Sequence, residues 1–263
     1  MAVPRFHCPA ELDASAVDTE YELPDAVAHH ALRVLRLEEG DRLLLFTGRG
    51  GEFAATLIVA GKRDAVVRID AFDPVERESA LAVTLVQGIA ANDAMDHAVR
   101  RAVELGVAAI QPVLTARSAR MPDGERGEKR HAHWRQIVVA ACEQCGRNRI
   151  PDVRDVATLE HWLTQRAGAE PGAAAGIAQG IAQGIAQGIV LSPYSARSLA
   201  GVPAPQATLD LLIGPEGGFA PEEVALAERA GMMAARLGPR VLRTETAALA
   251  ALATCNALWG DFR

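Results

Sequence analysis

Leu209-Asp210-Leu211-Leu212-Ile213-Gly214-Pro215-Glu216-Gly217-Gly218-Phe219 is the stretch that decides the fold. A mostly apolar run of strand length enters a loop holding three glycines, a proline and one carboxylate, and Pro221 then opens a helix at a first-turn position. A buried strand that feeds a helix through such a loop is the unit of an α/β sheet, whose ligands sit outside the carboxyl ends of the strands. The spacing is neither GxGxxG nor Walker A, so neither a nicotinamide nor a nucleoside triphosphate is implied. Glycine lets backbone amides approach a bound group closely.

Leu237-Gly238-Pro239-Arg240-Val241-Leu242-Arg243-Thr244-Glu245-Thr246-Ala247 repeats the arrangement. A capped helix start explains Thr244 as N-cap and Glu245 in the first turn, but not Arg243, because a cation is unfavourable at a helix N-terminus. Further strands are expected at Leu81–Gln87, Ala108–Val113, Ile189–Leu191 and Ala234–Leu237. Helices are expected from Asn92, as cap, to about Leu105, over Lys129–Cys145, over Pro221–Ala230 and over Glu245–Leu258. This alternation predicts a parallel sheet. Upstream, Asp25–Val34 reads as a short helix, and Leu43–Phe46, Glu52–Val59 and Ala65–Ile69 read as strands of a small β-barrel. Gly48-Arg49-Gly50-Gly51 is followed by a strand and not a helix, so it is a hairpin turn rather than a phosphate loop. The polar stretch Pro74–Ser79 sets the expected division into 1–75 and 76–263.

The chain has 263 residues, a net charge of −6 and 49% apolar residues, which excludes whole-chain disorder. No apolar run has membrane-spanning length, and Met1–His7 has no apolar segment of the secretory kind. Four cysteines form no disulfide framework, and a cytoplasmic location is expected. Cys142-Glu143-Gln144-Cys145 has no second CxxC and lies late in a helix, so it reads as buried packing rather than a metal or redox site. The acidity is uneven. Residues 1–75 hold 8 Lys+Arg against 13 Asp+Glu, a net of −5, whereas 117–154 hold 9 against 5, a net of +4. The net acidity therefore does not by itself exclude a nucleic-acid partner, since this window is locally basic and rich in arginine. Gly176-Ile177-Ala178-Gln179 occurs three times in tandem through Gln187, and the stretch of about 168–188 reads as a low-complexity surface loop.

IGPEGGF followed by LGPRVLRTETAAL resembles the RsmE family, the SPOUT-class methyltransferases of 16S ribosomal RNA. His30–Arg36, Glu104-Leu105-Gly106-Val107 and Glu143–Pro151 extend the resemblance over nearly the whole chain except about 158–188. It implies a SPOUT-type α/β domain with a trefoil knot, preceded by a PUA-like β-barrel. It also implies a homodimer without metal that uses S-adenosyl-L-methionine to methylate uridine N3 of 16S rRNA, within the assembled 30S subunit. The implied cofactor pocket consists of Leu191, Ser192 and Pro193, then Ile213, Gly214, Pro215, Glu216, Gly217 and Gly218, then Leu237, Gly238, Arg240, Leu242, Thr244, Thr246 and Ala247. Arg5, Arg33, Arg36, Arg147 and Asn148 are the expected RNA contacts. Two departures stand out: Arg101 replaces the family's usual lysine, and Ala220 replaces a hydroxyl residue before the Pro221 helix.

Methyl transfer to N3 requires alignment of the methyl group and loss of the N3 proton. Arg243 is the candidate for stabilising the uracil anion, and Glu216 and Glu245 are candidates for the base or for orienting Arg243. Two alternatives are a SPOUT enzyme for another RNA base and a non-catalytic RNA-binding assembly factor. A nicotinamide-dependent oxidoreductase fits the α/β pattern but lacks the glycine fingerprint.

Overall fold

The computed structural model describes residues 3–9, 12–61, 64–122, 124–168 and 187–262. The tandem repeat, except for its last residue Gln187, therefore lies outside the described residues. Two compact units form. One holds Met1–Glu78 together with Val139–Ile150, and the other Ser79–Val138 together with Pro151–Arg263. The division expected at 75/76 is contiguous, whereas these units are not, because residues 147–150 bond back to residues of the first unit. Gly50 N donates to Asn148 O at 3.1 Å, Ile150 N to Gly48 O at 3.2 Å, and Asn148 Nδ2 to Val75 O at 3.0 Å.

The first unit contains β1 (Arg5–His7), β2 (Glu20–Glu22), α1 (Asp25–His29), β3 (Arg42–Phe46), β4 (Glu52–Ala60) and β5 (Ala65–Asp73). The expected short helix is present, but its second half, His30–Val34, is a π turn. The sheet order is β1-β3-β4-β5-β2. Alternation explains the strands: Ala65, Val67 and Ile69 of β5 point into the core, where Leu43, Leu45, Phe53 and Leu57 meet them. Register shifts at Ala54/Ala55 and Leu57/Val59 bend the long β4–β5 pair, as bulges do in small barrels. No pairing joins β1 to β2 among the described residues, so the barrel is open along that seam.

An ion network closes one side of this unit. Glu52, buried, accepts from Arg5 and, at 3.1 Å, from Arg77 Nη1. Burial alone pushes the Glu52 carboxyl up, but hydrogen bonds from Arg77 and Arg5 outweigh it and hold the group below its usual range. Arg147 pairs with Glu78, and Arg149 Nε with Glu76 at 2.6 Å. Of the two CxxC cysteines, Cys145 is only half-buried, so the reading as buried packing fits the first of them. Cys142 is buried, and burial pushes its thiol up to about 12.

The second unit contains β6 (Ala82–Gly88), α2 (Asn92–Glu104), β7 (Ala109–Leu114), α3 (Glu125–Cys145, whose last turns belong to the first unit), β8 (Asp152–Val153), β9 (Ala157–Thr158), α4 (Leu159–Gly168), β10 (Gln187–Leu191), β11 (Thr208–Ile213), α5 (Pro221–Arg229), β12 (Met232–Ala235) and α6 (Thr244–Trp259). The sheet order is β12-β10-β11-β6-β7-β8, with β9 also on β7, and every pairing is parallel. Strands buried on both faces explain the continuous apolar runs of β6, β10 and β11. The last strand lies two residues earlier than expected. Gly231, at φ +81°, ends α5 and places Met232 and Ala235 inside. Helix α4, absent from the expected elements, contributes Trp162 and Leu163 to the core beside Val86, Val190 and Leu212. Its Arg166 Nε pairs with Asp210 on β11 at 2.9 Å, and burial still pushes the Asp210 carboxyl up against that cation.

Two helix starts differ from expectation in the same way. Asn92 is the first residue of α2, and the N-cap is Ala91, which has no side chain to cap with. Likewise Thr244 is the first residue of α6, and Arg243 is its N-cap. At α2 the acceptor comes from another loop, Glu216, whereas at α6 the Thr244 hydroxyl turns away to donate to Gly214 O. The order of strands also creates a switch point: from β6 the chain builds outward through β7, then returns to place β10, β11 and β12 on the other side.

Candidate active site at the carboxyl ends of four parallel strands

Strands β12, β10, β11 and β6 end side by side, and the loops that follow three of them form the candidate site. The loop after β10 is tied to β12: Ser192 N donates to Ala235 O and Ser195 Oγ to Ala234 O, both at 2.9 Å. The loop after β12 is tied to the same segment, with Arg236 N donating to Arg197 O and Leu199 N to Arg236 O, both at 2.9 Å. The glycine loop after β11 turns on a Gly218 N to Pro215 O bond of 2.8 Å. Gly218 sits at φ +65°, which favours glycine.

Three side chains fix that loop. Glu216 Oε1 accepts from Ala91 N at 2.8 Å, which supplies the start of α2 with the acceptor its own sequence lacks. Arg117 Nη1 donates to Gly217 O at 2.9 Å. Thr244 Oγ1 donates to Gly214 O at 2.6 Å while accepting from Gln87 Nε2 at 2.9 Å, which joins the β11 loop, the β12 loop and β6. The approach of β6 to this loop needs Gly88, since a Cβ there would lie 2.7 Å from Pro215 Cδ.

Gln87 is a site residue that the sequence pattern presents only as the end of an apolar strand. Its one signal is a polar residue in a run of β-branched and leucine neighbours, and here it is 0% exposed. The amide orientation follows from its bonds: Nε2 also donates to Gly88 O at 2.9 Å. Its Oε1 is buried with no hydrogen-bond partner among the described residues.

The expected cofactor residues fall together on this edge of the sheet. Ser192, Ile213, Pro215 and Thr244 are buried. Leu191, Gly214, Gly218, Leu237, Leu242 and Ala247 are half-buried, while Pro193, Glu216, Gly217, Gly238, Arg240 and Thr246 are exposed. Arg243 is exposed and Glu245 half-buried, both at the start of α6. Half-buried leucines from two loops suit a flat heterocycle, loop backbone suits its polar edge, and the unpartnered Gln87 Oε1 suits a donor brought by a ligand. The donor set fits S-adenosylmethionine on these grounds. Among the described residues no group of three or more metal-ligating side chains occurs, and no helix is long and apolar enough to cross a membrane.

The expected RNA contacts separate into two sets. Arg33 and Arg36 are exposed on and just after the π turn. Arg5, Arg147 and Asn148 are not offered to solvent, and here the structure corrects the expectation. Arg147 is 4% and Asn148 1% exposed, and Arg5 Nη2 donates to Asn148 Oδ1 at 2.8 Å while Arg5 pairs with Glu52. The Arg5 Nη groups, Arg147 and Asn148 find partners within the protein, while Arg5 Nε has none among the described residues. Arg101 pairs with Glu104 at 2.6 Å on the surface of α2. The missing cap at Ala220 is offset by Glu223, whose Oε2 accepts from Ala220 N at 2.8 Å.

The family model for an RNA methyltransferase domain matches residues 77–256, and that for an RNA methyltransferase PUA domain matches residues 23–70. Fold and sequence together define an RNA methyltransferase of the SPOUT class, a trefoil-knot α/β domain preceded by a PUA-like barrel. More narrowly, the chain belongs to the ribosomal RNA small subunit methyltransferase E family. The Mycobacterium tuberculosis protein of that name is 35% identical over 87% of this chain and 83% of its own length. The Neisseria gonorrhoeae protein of that name, crystallised bound to S-adenosyl methionine, superposes with a TM-score of 0.86. It is 36% identical, covering 99% of this chain and 100% of its own. A Legionella pneumophila methyltransferase in complex with the bound cofactor SAM superposes with a TM-score of 0.88 at 34% identity, with all of both chains covered.

Proposed function

We propose that this protein transfers a methyl group from S-adenosylmethionine to N3 of a uridine in 16S rRNA, acting as a cytoplasmic homodimer on the assembled small subunit. The observation that carries the reading is the joining of two loops and the end of β6 by Thr244 and Gln87, with Arg243 one residue from that junction. S-adenosylmethionine supplies an electrophilic methyl whose leaving group already bears the positive charge, so the chain's own work is alignment and proton removal. Uridine N3–H is a weak acid, and its loss leaves negative charge on O2 and O4. Arg243, exposed at the start of α6, supplies a planar donor fork for that charge. Glu245, two residues on and half-buried, is assigned to the proton or to orienting Arg243. Glu216 is assigned to holding the loop, because its carboxylate already caps α2.

Incubating the protein and labelled S-adenosylmethionine with unmodified small subunits, and separately with naked 16S rRNA, tests this reading. The expected product is N3-methyluridine, formed faster on the subunit. Methyl on a different base identifies the other SPOUT activity, and failure to bind the cofactor in calorimetry identifies an assembly factor. Arg243→Ala is expected to lower kcat by about 100-fold or more with little change in cofactor affinity. Undiminished turnover removes Arg243 from the mechanism. Light scattering reads the dimer.

A further inference from the structure

The basic stretch 117–154 is only partly used by the site above. Outside it, Arg120, Lys129, Arg130 and His133 line one cavity of about 540 Å³ together with Asn92 and Asp96 of α2. Three fixed cations therefore face one carboxylate, and that carboxylate is engaged, with Asp96 Oδ2 2.7 Å from His133 Nε2. Lys129 pairs with Glu125 at 2.6 Å, but both are largely exposed, so the pair is weak. Among the described residues, neither Arg120 nor Arg130 has a carboxylate within ion-pair distance.

Arg130 is held in advance. Its guanidinium lies 5.3 Å from the centre of the buried Trp134 ring. It donates through Nη2 to Ala90 O at 3.0 Å and through Nη1 to Arg120 O at 3.1 Å. Two of five N–H donors are thus spent on fixing the group, and three remain. Burial lowers its pKa, yet an arginine stays charged, so the cavity keeps a partly desolvated cation. A concave wall with excess positive charge concentrates anions.

The cavity adjoins the active-site loop. Ala90 O holds Arg130, Ala91 N is held by Glu216 of the glycine loop, and Asn92 lines the cavity. Three consecutive residues therefore connect the two. We propose that this cavity is a phosphodiester site that seats the RNA backbone beside the target uridine. The inference rests on the methyltransferase reading. Arginine forks and a lysine point charge match phosphate oxygens and carry no base information, so the site positions the strand and does not select it.

The test is Arg120→Gln, Lys129→Gln and their combination, both side chains being exposed and outside the core. Exposed Arg229→Gln on α5 is the charge control. Binding to a 16S rRNA transcript is measured between about 50 and 200 mM salt. Each lost phosphate contact reduces the salt slope by roughly 0.7–0.9, so across this fourfold range the double variant should lose about seven- to twelve-fold less affinity than the parent. KM for RNA should rise while kcat and cofactor affinity hold, and the control should match the parent. An unchanged slope and KM in the double variant overturn the cavity, even if the parent methylates normally. A parent that binds the cofactor but methylates no RNA overturns the functional reading instead, and the salt slope still decides the cavity.

Discussion

Thr244→Val removes one hydroxyl and keeps the shape of the side chain. Two hydrogen bonds go with it, the part-buried 2.6 Å donation to Gly214 O and the buried 2.9 Å acceptance from Gln87 Nε2. A net hydrogen bond contributes about 0.5–1.5 kcal/mol, and a buried donor left alone costs about 1–3 kcal/mol. The Gln87 amide is not left wholly alone, since it keeps Gly88 O at 2.9 Å and a long contact of 3.4 Å to Gly214 O. The expected loss of stability is therefore about 1–3 kcal/mol. Gln87→Leu removes only the second of the two bonds to Thr244, so the pair should show a coupling of about 0.5–1.5 kcal/mol in a double-mutant cycle. Urea unfolding of the parent, both single variants and the double variant measures that coupling. Calorimetry with S-adenosylmethionine measures how much of the loss appears as misplaced loop, where each 1.4 kcal/mol is about ten-fold in affinity. Thr244→Ser, which retains the hydroxyl, should recover most of both. The reasoning fails if Thr244→Val matches the parent in stability and affinity, or if the two substitutions add to within about 0.3 kcal/mol.

Gly88→Ala places a Cβ against Pro215 and should push the glycine loop outward. The expected cost is about 1–3 kcal/mol, with cofactor affinity falling further than global stability, and wild-type binding in calorimetry would show that the loop yields freely. The Glu52 carboxyl lies below its ordinary 4.5 in the folded protein, so its charge stabilises the first unit above that pH. That contribution disappears as the pH falls through the lowered folded value. Glu52→Gln should reduce stability at neutral pH and flatten its fall in acid, and parallel stability curves for the two proteins would count against the Arg5–Glu52–Arg77 network.

The strand, loop and helix sequence around Gly214–Pro221 is legible because glycine and proline act locally. They set φ and close approach wherever the chain carries them. The parallel sheet follows from alternation alone. Thr244 reads as a cap because a hydroxyl at a helix start looks the same whether its partner is three residues away or thirty; the partner here is Gly214. Arg147 and Asn148 mislead for a related reason. Composition marks them as surface cation and polar loop, and only the return of 147–150 to Arg5, Glu78 and Val75 buries them. Helix α4 has too weak a periodic pattern to announce itself, and its identity comes from packing Trp162 and Leu163 against β6, β10 and β11.

The discontinuous first unit has a consequence for synthesis. Its strands are complete by Asp73, but the segment that satisfies Arg5, Glu78 and the 48–50 turn ends at Ile150. At roughly 5–20 residues per second, the interval from Glu78 to Ile150 lasts about 4–14 s. During those seconds Glu78 lacks Arg147, and Arg5, although already paired with Glu52, lacks its bond to Asn148. A fragment released before Ile150 would carry that defect permanently, so a clone ending at Val75 should yield a less stable barrel than the same strands within the whole chain.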